Sequence, residues 1–430
     1  MTPGPPLVYC AVPGGLADLE VCRHNGLVVL AGGLRMRIVL YTGKGGVGKT
    51  CVSAAAALAA ARRGQRTVVM SSDRAHSLGD AFQVDLGPNP IEVAPNLDAL
   101  EIDPGSEIEE HWGEIQDYMR RLFTSQGADA IRADEVAMLP GLEELCTLLR
   151  LKDFWDQGAY DALIVDCAPT GATLRLLSLP EIFGWYMRRI FHLQRAAVGV
   201  IRPTAGWALP IPLPSDDFYA AIEALYHRLL DVAGLLQDPV RSGVRLVTIP
   251  EQMAVEETKR ALTEFSLYGM CVEEVVVNRV MPDEVTDPYL QATKAVQRRW
   301  VEQIRDDFSP LRITQAKLFP GEIAGLEALR QLAEHLFGDA DPMAALRSEP
   351  PVRIEETDGG CRLIVGLQFA TRGDVELMQH GDELVLEIGS SRRNLLLPRG
   401  LARMRATRAR IEGGSLVVDF VKDEELAKPL

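Results

Sequence analysis

The chain has 430 residues, 47% of them hydrophobic and 24% charged, with a formal net charge of −15. Such a length predicts two or three domains around ordinary globular cores, and the acidic balance excludes a general nucleic-acid surface, which needs clustered Lys and Arg against phosphate. The seven cysteines form no C-x-x-C pair, which excludes a disulfide framework and predicts buried thiols in a reducing compartment.

Residues 1–35 read as an N-terminal extension; their apolar run Gly26–Leu34 has too weak a basic flank for a signal peptide. Arg37–Tyr41 (RIVLY) predicts a buried strand, followed by a Gly-rich loop. Cys51–Arg63 is Ala-rich and predicts a helix closed by Gly64. Further strands are predicted at Thr67–Ser71, Leu163–Asp166, Val244–Ile249, Glu274–Asn278 and Ala316–Phe319, with helical patterns between them. Strands alternating with helices predict an α/β domain over residues 36–340, with a mostly parallel sheet. Two helical stretches near 106–156 and 180–236 interrupt this rhythm and predict an inserted helical subdomain. Residues 341–351 read as a linker. Residues 352–420 then carry short strand patterns punctuated by Asp358-Gly359-Gly360, His380-Gly381-Asp382 and Glu412-Gly413-Gly414. That pattern predicts a small all-β sandwich. Residues 421–430 form a charged tail, and no apolar run is long enough to span a bilayer.

Gly43-Lys44-Gly45-Gly46-Val47-Gly48-Lys49-Thr50 fits the P-loop pattern G-x-x-x-x-G-K-[ST], placed after a strand and before a helix. Glycines let the backbone curl around phosphate and aim its N–H groups inward. Gly43, Gly45, Gly46, Val47, Gly48, Lys49, Thr50 and Cys51 are thus candidate ATP-binding residues. Lys49 is expected to neutralise β/γ-phosphate charge, and the Thr50 hydroxyl to hold Mg2+, at the positive end of the following helix.

Ser72-Asp73-Arg74-Ala75-His76-Ser77-Leu78 and Asp166-Cys167-Ala168-Pro169-Thr170-Gly171 resemble the two switches of the arsenite-pump and guided-entry (tail-anchored protein targeting) ATPase family. The resemblance covers Met36 to Phe337. It implies that Lys44 acts as a signature lysine, reaching across a homodimer to the partner's ATP where leaving-group charge develops. It also implies that Asp73 activates the attacking water and that Asp166 holds Mg2+, each from the carboxyl end of a strand. Asn278 in Asn278-Arg279-Val280 resembles the family's adenine reader, and Pro320 in Phe319-Pro320-Gly321 its adenine-side loop. Two departures stand out: Arg74 where the family has Pro, and Ala172 where it has His. The cysteine pair of a zinc clamp is also missing, so no zinc is expected. The C-terminal segment resembles an α-crystallin domain without the I-x-I tail. The function so implied is a cytoplasmic, Mg-dependent ATPase whose dimer binds or chaperones hydrophobic or membrane-protein segments. An arsenite-efflux energiser and a positioning or scaffold ATPase are the alternatives.

Overall fold

The computed structural model describes residues 36–73, 77–103, 142–168, 183–205 and 213–422, apart from positions 358, 372, 382, 390, 399 and 403, together with 117, 118, 121 and 179. The chain folds as two compact units. The first holds the residues up to Lys49, Leu236–Glu322 and Glu334–Leu430, and the second holds Thr50–Leu235 and Ile323–Ala333.

In the first unit, β1 (Arg37–Thr42), β6 (Ser242–Thr248), β7 (Val272–Val280) and β8 (Arg312–Lys317) lie side by side in that order, all parallel. β1 and β6 are buried along their whole length, as apolar strands covered on both faces must be. The helix Pro288–Asp307 starts where the Asp287 side chain accepts from the N–H groups of Tyr289 and Leu290, with Pro288 in its first turn. The expected strand Ala316–Phe319 lies earlier, at Arg312–Lys317, because its RITQAK sequence alternates polar residues and hides the strand.

The same unit contains seven antiparallel strands. β9 (Val352–Thr357), β10 (Gly360–Gly366), β14 (Met404–Glu412) and β15 (Ser415–Lys422) form one sheet in the order β14-β15-β10-β9. β11 (Val375–His380), β12 (Glu383–Ile388) and β13 (Ser391–Leu396) form a second. Leu363, Val365, Leu384, Leu386, Val418 and Phe420 fill one core between them, so the expected all-β sandwich forms. Leu267, at the end of the helix Gln252–Leu267, belongs to that core. Phe369 meets Phe308 edge-on at 5.2 Å, and Gln368 Nε2 donates to the carbonyls of Asp307 (2.7 Å) and Ser309 (2.8 Å).

In the second unit, β2 (Thr67–Ser71), β4 (Leu97–Glu101) and β5 (Ala162–Asp166) are parallel, and β3 (Ile91–Ala94) runs antiparallel to β4. The β3–β4 hairpin is absent from the sequence expectations. β3 has four residues and is half exposed, and the turn relies on Asn96 at φ 64°. Helix α1 (Lys49–Arg62) packs its alanines into the core, and α2 spans Ser77–Phe82. Within the two helical stretches, the described helices are Leu142–Gln157, His192–Ala205 and Asp216–Gln237.

Leu145, Leu148 and Leu149, on the helix Leu142–Gln157, are buried core residues. Met187 and Phe191 are buried as well, packed with Val198, Phe218 and Tyr219. Trp185 (47% exposed), Ile190 (38%) and Leu193 (74%) remain on the surface.

Candidate nucleotide site

The phosphate loop leaves β1 at Gly43. That residue has φ 155°, and a Cβ there would sit 2.1 Å from the Val247 carbonyl oxygen, so only glycine fits beside β6. Gly48, at φ 90°, would bring a Cβ to 2.4 Å from Asn278 Nδ2. By contrast, a Cβ on Gly45 would meet nothing within 4 Å, so the fold itself does not demand glycine there.

Lys49 is only 6% exposed, and its Nζ donates to the Lys44 carbonyl at 3.5 Å. Among the described residues it has no ion pair. A buried ammonium without a counter-charge is costly and favours an anion beside it. Lys44 likewise has no ion pair among the described residues.

Asn278, expected to read adenine, is held by two bonds within the chain. Its Nδ2 donates to the Val47 carbonyl at 2.9 Å, and its Oδ1 accepts from the Arg279 N–H at 2.9 Å. The side chain braces the phosphate loop. Pro320 lies in the loop after β8, whose course is tied to β7 by Leu318 N donating to the Val280 carbonyl at 2.8 Å.

Thr50 opens the second unit, and its hydroxyl donates to Asp166 Oδ2 at 2.8 Å. Asp166 ends β5, is fully buried, and also accepts from Ser71 Oγ at 3.3 Å. Ser77 Oγ lies 3.1 Å from Thr50 Oγ1. Asp73 follows β2, and its backbone N–H donates to Ser71 Oγ at 3.2 Å. The carboxylates of Asp73 and Asp166 thus leave the carboxyl ends of two adjacent parallel strands, as ligand-binding groups do in open α/β sheets. Two hard oxygen donors this close, one a carboxylate, suit Mg2+ better than a thiophilic metal. Cys51 is partly buried, with its Sγ 3.7 Å from the Ile323 carbonyl. Arg74 and Ala172 lie outside the described residues. Ser71 and Ser77 escaped sequence reasoning as site residues, because a serine's relevance depends on what folds against it.

The model of the anion-transporting ATPases matches residues 36–338, most of the chain and all of this geometry. The chain belongs to that family. It is therefore a P-loop ATPase that binds nucleotide and hydrolyses ATP. A second match, to the HSP20-like domain found in ArsA, covers residues 358–420 of the ATPase, from β10 through most of β15. The ATPase is 39% identical over 366 residues to the "Putative arsenical pump-driving ATPase" of Chlorobaculum tepidum, covering 84% of this chain and 90% of that one. It is 36% identical over 393 residues to "Putative arsenical pump-driving ATPase 1" of Aquifex aeolicus, covering 89% and 99%. "ATPase ASNA1 homolog 1" of Paramecium tetraurelia is 26% identical over 308 residues, covering 70% and 92%. Among the described residues, no helix is long and apolar enough to cross a membrane.

Proposed function

We propose that the ATPase is a cytoplasmic, Mg2+-dependent homodimer that uses ATP to switch its grip on hydrophobic protein segments. The observation that carries the ATP site is the buried Lys49 ammonium, which has no ion pair among the described residues and lies on a loop where Gly43 and Gly48 leave no room for a Cβ. Lys49 then compensates β/γ-phosphate charge, while the N–H groups of Gly45 to Thr50 and the head of α1 take the phosphate oxygens. Thr50 and Asp166 hold Mg2+, which supplies charge neutralisation at the phosphates. Asp73 orients the attacking water and accepts its proton. Lys44 serves the partner's site, a role favoured by its lack of an ion pair among the described residues. Pro320 lies on the adenine side, and Asn278 offers adenine the amide proton and the oxygen lone pair that its bonds to Val47 and Arg279 leave over.

A hydrophobic client is favoured by Trp185, Ile190 and Leu193, which expose apolar area on consecutive helical turns. The test is capture of a fluorescent transmembrane-helix peptide by the full chain, with ATP analogue or ADP. Capture that changes with nucleotide and drops in Leu193→Asp supports the reading. Capture indifferent to both contradicts it.

The relatives' printed names favour a second reading, coupling to an arsenite pump. Its mark is ATPase activity that rises with arsenite.

A further inference from the structure

Near its carboxyl end, β7 falls out of step with β8. Val277 pairs with Gln315 and Val280 with Lys317, so β7 carries one extra residue over that stretch. Such a bulge bends its strand and re-aims a side chain, and bulges gather beside binding sites. Within this one Arg279 stands at φ 56°. The left-handed region disfavours any residue with a Cβ, so neighbouring bonds must hold Arg279 there. Gln297, half-buried on the helix Pro288–Asp307, supplies two of them. Its Oε1 accepts from the Met281 N–H at 2.8 Å, and its Nε2 donates to the Arg279 carbonyl at 3.4 Å. On the other side, the Leu318 N–H donates to the Val280 carbonyl at 2.8 Å. The bulge is thereby tied to the buried Asn278 amide, whose Oδ1 accepts from the Arg279 N–H while its Nδ2 donates to Val47 in the phosphate loop.

We propose that Gln297 is a positioning residue for the nucleotide site: it holds Arg279 in the left-handed conformation, which fixes the Asn278 side chain, which in turn braces the phosphate loop. The inference rests on the phosphate loop being where nucleotide binds. Each link is a bond between two segments far apart in sequence, and Gln297 itself belongs to no motif. Without Gln297, Arg279 relaxes toward negative φ and its N–H turns away from Asn278 Oδ1. The amide is then free to leave Val47, and the loop reaches its curled form only when nucleotide orders it. Ordering a loop on binding lowers affinity, whereas a loop already braced binds at full strength. The strain stored at Arg279 is thus offset by Gln297 and serves the aim of Asn278.

The experiment measures the affinity of the full chain for a fluorescent, non-hydrolysable ATP analogue. Gln297→Ala removes both bonds at a helix position that alanine suits, so the helix itself is not at risk. It should weaken analogue binding about tenfold, the worth of releasing a strained residue from its support. The same substitution is then made in the Arg279→Gly background. Glycine takes positive φ without support, so there Gln297→Ala should cost less than about twofold. Each cost is taken against its own background, which cancels any effect of losing the Arg279 side chain. A general loosening of the helix would cost the same in both backgrounds. Unchanged affinity in Gln297→Ala, or an equal cost in the Arg279→Gly background, overturns the proposal. A parent chain that binds no analogue overturns both the proposal and the phosphate loop as the nucleotide site.

Discussion

Gly43 and Lys49 show how much of the site is decided residue by residue. At Gly43 a Cβ would overlap the Val247 carbonyl at 2.1 Å, so Gly43→Ala must displace β6 or the loop. Its thermal midpoint should fall and its ATPase activity should be lost together, whereas Gly45→Ala should leave the midpoint unchanged. Lys49→Ala should abolish nucleotide binding if the buried cation compensates phosphate charge as proposed. Asp73→Asn should bind nucleotide normally but hydrolyse it about 10²-fold more slowly, the usual worth of a positioned base. Filter binding and phosphate release measure both, and full turnover by Asp73→Asn would remove its role. The loop was legible in the sequence because its glycines, lysine and threonine stand at fixed spacing within one short segment between a strand and a helix. Ser77 was quoted within a motif without a role, and Asn278 was read from its motif as an adenine reader. Neither the Thr50 contact nor the Val47 bond exists until distant segments meet.

At the scale of elements, charges inside apolar strands give the first unit a character that periodicity did not reveal. Arg37 on β1 pairs with Glu273 on β7, and its Nη1 donates to the carbonyls of Pro239 (3.1 Å) and Val240 (2.9 Å). Arg245 on β6 donates to Tyr41 Oη at 2.9 Å and pairs with Glu274 at 3.4 Å. Breaking such a buried pair from one side leaves an uncompensated charge, so Arg37→Ala should cost about 3–5 kcal/mol in urea unfolding. A loss below about 1 kcal/mol would show that water reaches Glu273.

The same region predicts alkaline sensitivity. Burial pushes the Cys271 thiol up from 9.0 to about 11. Because the folded value is the raised one, this stability is fully present below pH 9.0 and is lost as pH rises to about 11. The two-unit difference corresponds to about 3 kcal/mol. Tyr41, pushed from 10.0 to about 12 chiefly by burial, adds a loss of the same sign at higher pH. Urea midpoints should therefore fall steeply above pH 9.0, and less steeply in Cys271→Ser. β1, β2, β5, β6 and β7 were legible because strands buried on both faces read as unbroken apolar runs. β3 and β4 were not, and β8 was read only at its end, since short, edge-exposed or polar strands carry no such signal.

For the molecule as a whole, the C-terminal strands were legible from their turn glycines. Their seating on the ATPase helices through Leu267, Phe369 and Gln368 was not, because it depends on residues that look unremarkable in sequence. The central claim concerns assembly. If Lys44 acts on the partner's nucleotide, two chains face each other across their phosphate loops about a two-fold axis, and neither is complete alone. Mixing Lys44→Ala chains with Lys49→Ala chains tests this most directly. Neither variant should hydrolyse ATP by itself. In a mixed dimer, the Lys44→Ala chain binds ATP through its own Lys49 while its partner supplies Lys44. Random pairing makes about half the dimers mixed, each with one working site. The account predicts that ATPase activity returns on mixing, at that level. A mixture as inactive as its separate components would contradict it.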